Sequence, residues 1–287
     1  MGRPHRVLPG RKRRGGMLEM PRYDALMTTR GGSARGNGRR TPPSRGEPRG
    51  RSPRGADRES LRSTPAPTPP KRKPWSAEGD LPRWIAEELA RVTPKKNLPA
   101  AVEHLQESAR AFAAGKHGKA LRAAEEAKEL SPRDPTIREL IGLSAYRMGR
   151  WDQALRELRT FRRLTGDATH LPVEMDVLRA LERPDDVEAA WKVMKKLGGD
   201  RETVDEAKVV YGSFLLDRGE HRKAWQITNP KRISADPRES ELRVWYVAAR
   251  AAARLGDVPT AGQLRDAIRG ADPAFPGLDE LERAIAG

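Results

Sequence analysis

The sequence predicts an all-α protein, a solenoid of about five stacked helical hairpins that follows a disordered basic tail. Three observations favour this class: a repeat of small residues, the lack of alternating β-branched segments, and a change in composition near residue 80. The repeating small residues, at intervals of 34, 36, 34 and 37, are Ala120, Ala154, Ala190, Ala224 and Ala261. A period near 34 residues is the length of one stacked pair of antiparallel helices.

Glycines accompany the repeated alanines. The residues that stand five positions earlier are Gly115, Gly149, Gly219 and Gly256, with Asp185 at the corresponding place in the middle unit. A glycine there permits a turn with positive φ, and the alanine lets the second helix cross close to the first. The second unit has the most complete set, because Gly142 lies midway along its first helix and Trp151 follows the turn before Ala154.

These residues resemble the tetratricopeptide repeat family over roughly residues 98 to 273. The resemblance implies a right-handed superhelix whose first helices line a concave groove that holds a peptide or a partner helix. The layout of an arginine-rich tail before degenerate repeats is also similar to a group of actinobacterial repeat proteins. That second similarity implies no reaction.

By family position, four side chains would line the groove: Tyr146, Arg179, Tyr246 and Arg250. A mixed aromatic and arginine-bearing groove suits an amphipathic or acidic segment. Alternatively, the two tyrosines pack between units and bind nothing. The family members that clamp a chaperone's C-terminal carboxylate use Lys and Asn at groove positions where this chain has Leu105, Ala109, Leu140 and Leu143. We therefore do not expect that ligand.

The domain boundaries follow from composition and helix signals. Residues 1–79 are predicted to be the basic tail, and residues 80–287 the repeat array. Within the array, residues 80–92 form a short first helix with Asp80 as its cap and Pro82 in its first turn. Residues 275–286 have the length and amphipathy of a closing helix, which a solenoid needs to cover its last apolar face.

The tail carries most of the net charge. Residues 1–80 contain 20 Lys plus Arg against 7 Asp plus Glu, a net +13 of the chain's +16, together with 12 Gly and 12 Pro. Such a composition cannot bury enough apolar area to offset chain entropy, so we expect disorder. The residues expected to contact nucleic acid or an acidic partner are Arg14, Arg30, Arg49, Arg51, Lys71, Arg72 and Lys73.

The role of the tail has two interpretations. It either only solvates the protein, or it binds nucleic acid or an acidic partner without sequence specificity, because arginines among glycines can follow a phosphate backbone. The start of translation is also open among Met1, Met17, Met20 and Met27. A start at Met27 would reduce the net charge of the tail to +8.

Catalytic motifs are not evident in the sequence. The chain has no cysteine, no phosphate-cradling glycine loop, no dinucleotide fingerprint and no paired-histidine zinc helix. We therefore expect no enzyme, no cofactor and no metal. The N-terminus lacks the apolar run of a signal peptide, and no segment is long enough to span a bilayer. These observations favour a cytoplasmic bacterial protein that binds a protein partner, or alternatively a nucleic-acid- or ribosome-associated accessory protein acting through its tail.

Overall fold

The structure, a computed structural model, describes residues 81–286. This part of the chain consists of α-helices joined by short turns, and no strand occurs among these residues. The predicted all-α class is thus confirmed for residues 81–286. The predictions for the tail, including its disorder and its seven candidate contact residues, lie outside the described part.

Twelve helices follow one another within residues 81–286. They are α1 Arg83–Val92, α2 Leu98–Ala113, α3 His117–Leu130, α4 Pro135–Arg147, α5 Trp151–Thr165, α6 Leu171–Ala180, α7 Pro184–Leu197, α8 Arg201–Asp217, α9 His221–Thr228, α10 Glu239–Arg254, α11 Val258–Ala271 and α12 Leu278–Ala286. Helix α1 begins three residues later than predicted, because the extended backbone of Pro82 precedes the first turn. Helix α12 also begins three residues late, after the positive-φ turn at Gly277.

The helices pair into five hairpins, α2/α3, α4/α5, α6/α7, α8/α9 and α10/α11, and each hairpin packs on the next. The first helices form a buried layer: nine of the 13 residues of α4 and eleven of the 17 of α8 are buried. The second helices are more exposed, since only five of the 15 residues of α5 are buried. The hairpin array is therefore divided into a buried layer of first helices and a more exposed layer of second helices.

The same backbone closure ends the first helix of every hairpin. In the second hairpin, the N–H of Gly149 donates to the carbonyl of Tyr146 at 3.0 Å. The next N–H, that of Arg150, donates to the carbonyl of Ala145 at 2.9 Å. The paired bonds satisfy carbonyls that a helix end leaves free, and they require a left-handed residue after the helix. That residue is glycine in four hairpins, with φ between +68° and +79°.

The third hairpin shows that the sequence register was wrong there by three residues. Its left-handed residue is Glu182, at φ +55°, and the N–H of Arg183 closes the turn onto Leu178. Glu182, not Asp185, is therefore equivalent to the four glycines. Val187 then takes the place assigned to Ala190, which lies one turn farther along the same face of α7. Because no glycine stands at this turn, the sequence alignment matched Ala190 to the other repeat alanines, although Val187 is the equivalent residue.

The corrected register predicts opposite effects for two glycine substitutions. Glu182→Gly should stabilise the protein by about 0.5–1 kcal/mol, because the left-handed backbone strains every side chain with a Cβ. Asp185→Gly should destabilise it by about 1 kcal/mol, because residue 185 lies in the first turn of α7. Urea unfolding of both variants checks the register. The opposite ranking would restore the sequence-based alignment.

The two helices of a hairpin meet where a small residue sits. Ala120, Ala154, Ala224 and Ala261 are all fully buried, as their repeat positions predict. The approach is closest at Gly142, where an added Cβ would lie 2.6 Å from the Leu158 side chain and 3.3 Å from its backbone nitrogen. Only glycine fits between α4 and α5 at that point.

Buried ion pairs connect neighbouring hairpins. Glu157 on α5 is fully buried and contacts Lys128 on α3 at 3.0 Å and Arg138 on α4 at 2.6 Å. Burial alone would raise the pKa of Glu157, but hydrogen bonds from Arg138 and Lys128 outweigh it and hold the pKa below its usual range. Between the second and third hairpins, Arg162 donates to the buried Glu174 at 2.9 Å.

A similar pair connects the fourth and fifth hairpins. Glu206 on α8 lies 2.5 Å from Arg243 on α10, and both side chains are mostly buried. Here desolvation dominates and raises the pKa of Glu206, although Arg243 opposes the shift. Each contact between hairpins therefore has its own arrangement of charges. In residues 81–286, no helix combines the length and the apolar character that crossing a bilayer requires.

Candidate partner-binding face

The C-terminal halves of the first helices carry two rows of equivalent side chains, which we call the first-helix face. One row lies three residues before each left-handed turn residue and comprises Phe112, Tyr146, Arg179, Leu216 and Ala253. The other lies six residues before it and comprises Ala109, Leu143, Asp176, Ser213 and Arg250. In this register Tyr146 and Arg179 occupy the same position in consecutive hairpins.

Tyr146 and Arg179 are joined through a carboxylate. The Tyr146 hydroxyl donates to Oδ2 of Asp176 at 2.8 Å, and Nη1 of Arg179 donates to Oδ1 of the same group at 3.0 Å. Nη2 of Arg179 continues to Oδ2 of Asp217 at 2.7 Å. This chain of hydrogen bonds crosses three first helices, α4, α6 and α8, and fixes their side chains relative to one another.

The Tyr146 hydroxyl acts as the donor at one end of this chain of hydrogen bonds. Burial and the adjacent Asp176 raise the pKa of Tyr146, so its hydroxyl stays protonated and acts as a donor. The Tyr146 ring also meets Trp151 edge to face, with 5.8 Å between centroids. The Arg179 side chain is 22% exposed and that of Asp217 is 60% exposed. A ligand can therefore reach the Arg179–Asp217 end of the chain.

Tyr246 and Arg250 lie in a second, separate cluster at the last hairpin. Tyr246 is only 3% exposed, because Phe275 packs against its ring and the backbone of Gly277 lies against its hydroxyl. The prediction that Tyr246 lines an open groove is therefore wrong, and the packing alternative describes this residue. Burial raises its pKa, and its hydroxyl lies 3.4 Å from Oε2 of Glu280 on α12.

The Arg250 guanidinium lies over the Tyr246 ring, 5.7 Å from its centroid. Its Nη2 approaches Glu280 only to 3.9 Å, and its Nη1 is buried without a hydrogen-bond partner. Arg250 lies in one row of the first-helix face, next to Glu280 of the C-terminal helix α12, and its role in a groove stays a prediction.

Three charged residues of these two clusters, Asp176, Asp217 and Glu280, were not singled out from the sequence. The register error had placed Arg179 level with Leu143, so the link from Tyr146 through Asp176 was not visible. A signal was present, because Asp176 stands three residues before Arg179 and such pairs meet on one helix face.

Other concave features do not coincide with these clusters. A cleft of about 440 Å³ lies on the first hairpin, between charged side chains of both signs such as Glu107, Arg110 and Lys119. None of the predicted groove residues lines it. Among residues 81–286, no three histidine or carboxylate side chains are grouped so that they could hold a metal ion.

Several solved structures resemble the chain. Among solved structures, the chain is similar to that of YrrB, described as a TPR protein with an unusual peptide-binding site, with a TM-score of 0.47 and 14% identity. The match covers 72% of this chain and 100% of the other. No protein-family model matches the chain, and no curated protein matches it. The assignment of a hairpin array therefore rests on the helices and turns of this chain.

Proposed function

We propose that the protein is a non-catalytic interaction scaffold that binds a peptide or partner helix along the concave side formed by its first helices, in the bacterial cytoplasm. The observation that supports this proposal is the chain Tyr146–Asp176–Arg179–Asp217, which presents ordered polar groups across three consecutive hairpins. Tyrosine and arginine are the side chains that most often anchor partners.

Preorganisation favours binding at this place. Side chains that already hold one geometry lose little conformational entropy when a partner docks. Helices α6 and α8 pack directly on each other, and packed helix axes lie about 8–10 Å apart. Helix α4 is joined to α6 by the hydrogen bond from Tyr146 to Asp176. A short peptide can therefore contact the whole chain of hydrogen bonds at once.

Co-purification of partners with variants of this face tests the proposal. Arg179→Ala, combined with Tyr146→Phe, should lower the yield of the principal partner about tenfold or more, because it removes an anchoring guanidinium and the hydroxyl linked to it. The matched control is Arg122→Ala, which removes an exposed arginine from the outer helix α3. If the partner yield fell equally in the control, or did not fall in the double variant, the partner would bind outside the first-helix face.

A second candidate function, nucleic-acid association, is favoured by the charge distribution, since +13 of the net +16 lies in residues 1–80. Binding of this kind should be nonspecific and steeply dependent on salt. With about 6 phosphates of a single strand engaged, the plot of log affinity against log salt should have a slope near −4.

The tail residues provide the test of that function. We expect replacement of Arg14, Arg30, Arg49, Arg51, Lys71, Arg72 and Lys73 by glutamine to weaken binding and flatten the salt slope. The measurement is fluorescence anisotropy with random RNA and DNA oligonucleotides over a salt series. Unchanged affinity in the seven-site variant would assign any binding to the repeat array, and no binding of the parent protein would leave the tail with a solvating role.

A further inference from the structure

Arg250 is poorly compensated compared with the other arginine of the predicted groove. Arg179 holds two carboxylates at 3.0 and 2.7 Å. Arg250 has one carboxylate, that of Glu280, at 3.9 Å, and its buried Nη1 has no partner. A buried donor without an acceptor is costly, especially on a charged group, so this guanidinium has unused capacity for a carboxylate.

A second unused donor occupies the equivalent position on the preceding first helix. Ser213, like Arg250, stands six residues before the glycine that ends its helix, and α8 packs directly on α10. The residue is 2% exposed, and its hydroxyl is buried without a hydrogen-bond partner. Two neighbouring helices therefore each present a donor that the described residues leave unpaired.

The guanidinium lies over the Tyr246 ring, with its Cζ 5.7 Å from the ring centroid. The N–H donors of a guanidinium point outward along its edges. Carboxylates bind such an edge through two parallel hydrogen bonds. Glu280 does not achieve this geometry, because it lies 3.4 Å from the Tyr246 hydroxyl and 3.9 Å from Arg250.

Glu280 belongs to a segment that is anchored independently. Leu278 and Leu281 on α12 are buried, and Gly277 at φ +89° lies against Tyr246. The Glu280 side chain itself is 55% exposed, so it can turn into solvent while α12 stays in place. Its carboxylate covers the Arg250 position without satisfying it.

We propose that Arg250 binds a carboxylate side chain of an acidic partner segment, and that Glu280 competes with this ligand from within the chain. The inference rests on the proposed function, since it places one end of the partner at the last hairpin. Binding moves Glu280 away from Arg250 and Tyr246, and the incoming carboxylate takes its place.

The lack of cysteine in the chain permits a local binding assay. Ala284→Cys, at an exposed position on α12, carries an environment-sensitive fluorophore in the full-length protein. The probe is hexaglutamate with an acetylated N-terminus and an amidated C-terminus, and hexaglutamine capped in the same way is the uncharged control. The basic tail is present in every variant, so differences between variants report on this site.

Three variants give the expected pattern. Arg250→Gln should weaken hexaglutamate binding about tenfold, whereas Arg254→Gln, which removes an exposed arginine from the same helix, should leave it unchanged. Glu280→Gln should strengthen binding about threefold, because it removes the internal competitor. Hexaglutamine should bind none of them. Melting temperatures of all variants check that they fold.

Several results would overturn the inference. Equal affinities of the Arg250→Gln and Arg254→Gln variants, weaker binding by Glu280→Gln, or no hexaglutamate binding by the parent protein would each do so. Glu280 is exposed, so its variant keeps the test decisive even if the Arg250 variant fails to fold. If these assays fail while the partner still depends on Tyr146 and Arg179, only the inference is lost and the scaffold function stands.

Discussion

Replacing Gly142 with leucine should lower the free energy of unfolding by about 3 kcal/mol, because there is no space for a side chain between α4 and α5. An added Cβ would meet both the side chain and the backbone nitrogen of the buried Leu158. The helices must move apart to accept it, and the second hairpin then loses packing along its whole length. Urea unfolding followed by circular dichroism measures the change.

Gly262, which lies at an uncrowded position of a helix, is the control for the Gly142 substitution. A Cβ on Gly262, within α11, would have the end of Arg265 at 3.9 Å as its nearest neighbour. Gly262→Ala should therefore stabilise the protein by about 1 kcal/mol through helix propensity, whereas Gly142→Ala should not. A stabilised Gly142 variant would mean that α4 and α5 are not in close contact there.

Glu157→Leu should destabilise the protein by about 3 kcal/mol, the second large effect that we expect. The substitution leaves Lys128 and Arg138, both mostly buried, facing an apolar group without their shared carboxylate. The expected loss of stability arises because Lys128 and Arg138 remain as uncompensated charges, and not because one favourable hydrogen bond is lost. Thermal unfolding measured at neutral pH checks the prediction.

Removing all three charges separates these two explanations. The triple variant Lys128→Met, Arg138→Met and Glu157→Leu should recover most of the lost stability, because an apolar group of similar size avoids desolvation. A triple variant as unstable as the single one would show that the ion cluster itself contributes the stability.

The same glutamate gives a pH signature. Its folded pKa is lowered, so its contribution to stability is fully present above the pKa of an unfolded glutamate and is lost as pH falls through the folded pKa. The advantage of the parent protein over Glu157→Leu should thus shrink in acid. Glu206 acts in the opposite direction, since its raised pKa makes it costly at neutral pH and less so as pH falls.

Much of the fold could be predicted because four hairpins use the same two residue types at the same two places. The left-handed turn favours glycine, and the close crossing of two helices favours alanine, so both residues recur with a visible period. The third hairpin could not be aligned because Glu182 adopts the left-handed conformation despite its side chain. The hydrogen bonds of the turn place Glu182 in this conformation. Its residue type does not distinguish it from its neighbours in the sequence.

The candidate site was only partly predictable for a related reason. The alignment of the third hairpin was wrong by three residues, which corresponds to about one helical turn. In that alignment Arg179 was therefore not at the position equivalent to Tyr146. The burial of Tyr246 depends on a long-range contact with Gly277, 31 positions away, which no helical periodicity encodes. By contrast, the position of Arg250 on the first-helix face followed from an undisturbed part of the repeat.

The distinct ion pairs between hairpins make the units non-interchangeable, although their turns are alike. Deletion of the second hairpin would join α3 to α6 and would leave Glu174 buried without Arg162, while Lys128 would lose Glu157. Deletion of one complete hairpin keeps the spacing of the repeat, but it would still place unpaired charges at the new junction. The buried ion pairs thus favour one order of the hairpins, whereas the same left-handed turn gives each hairpin a similar shape.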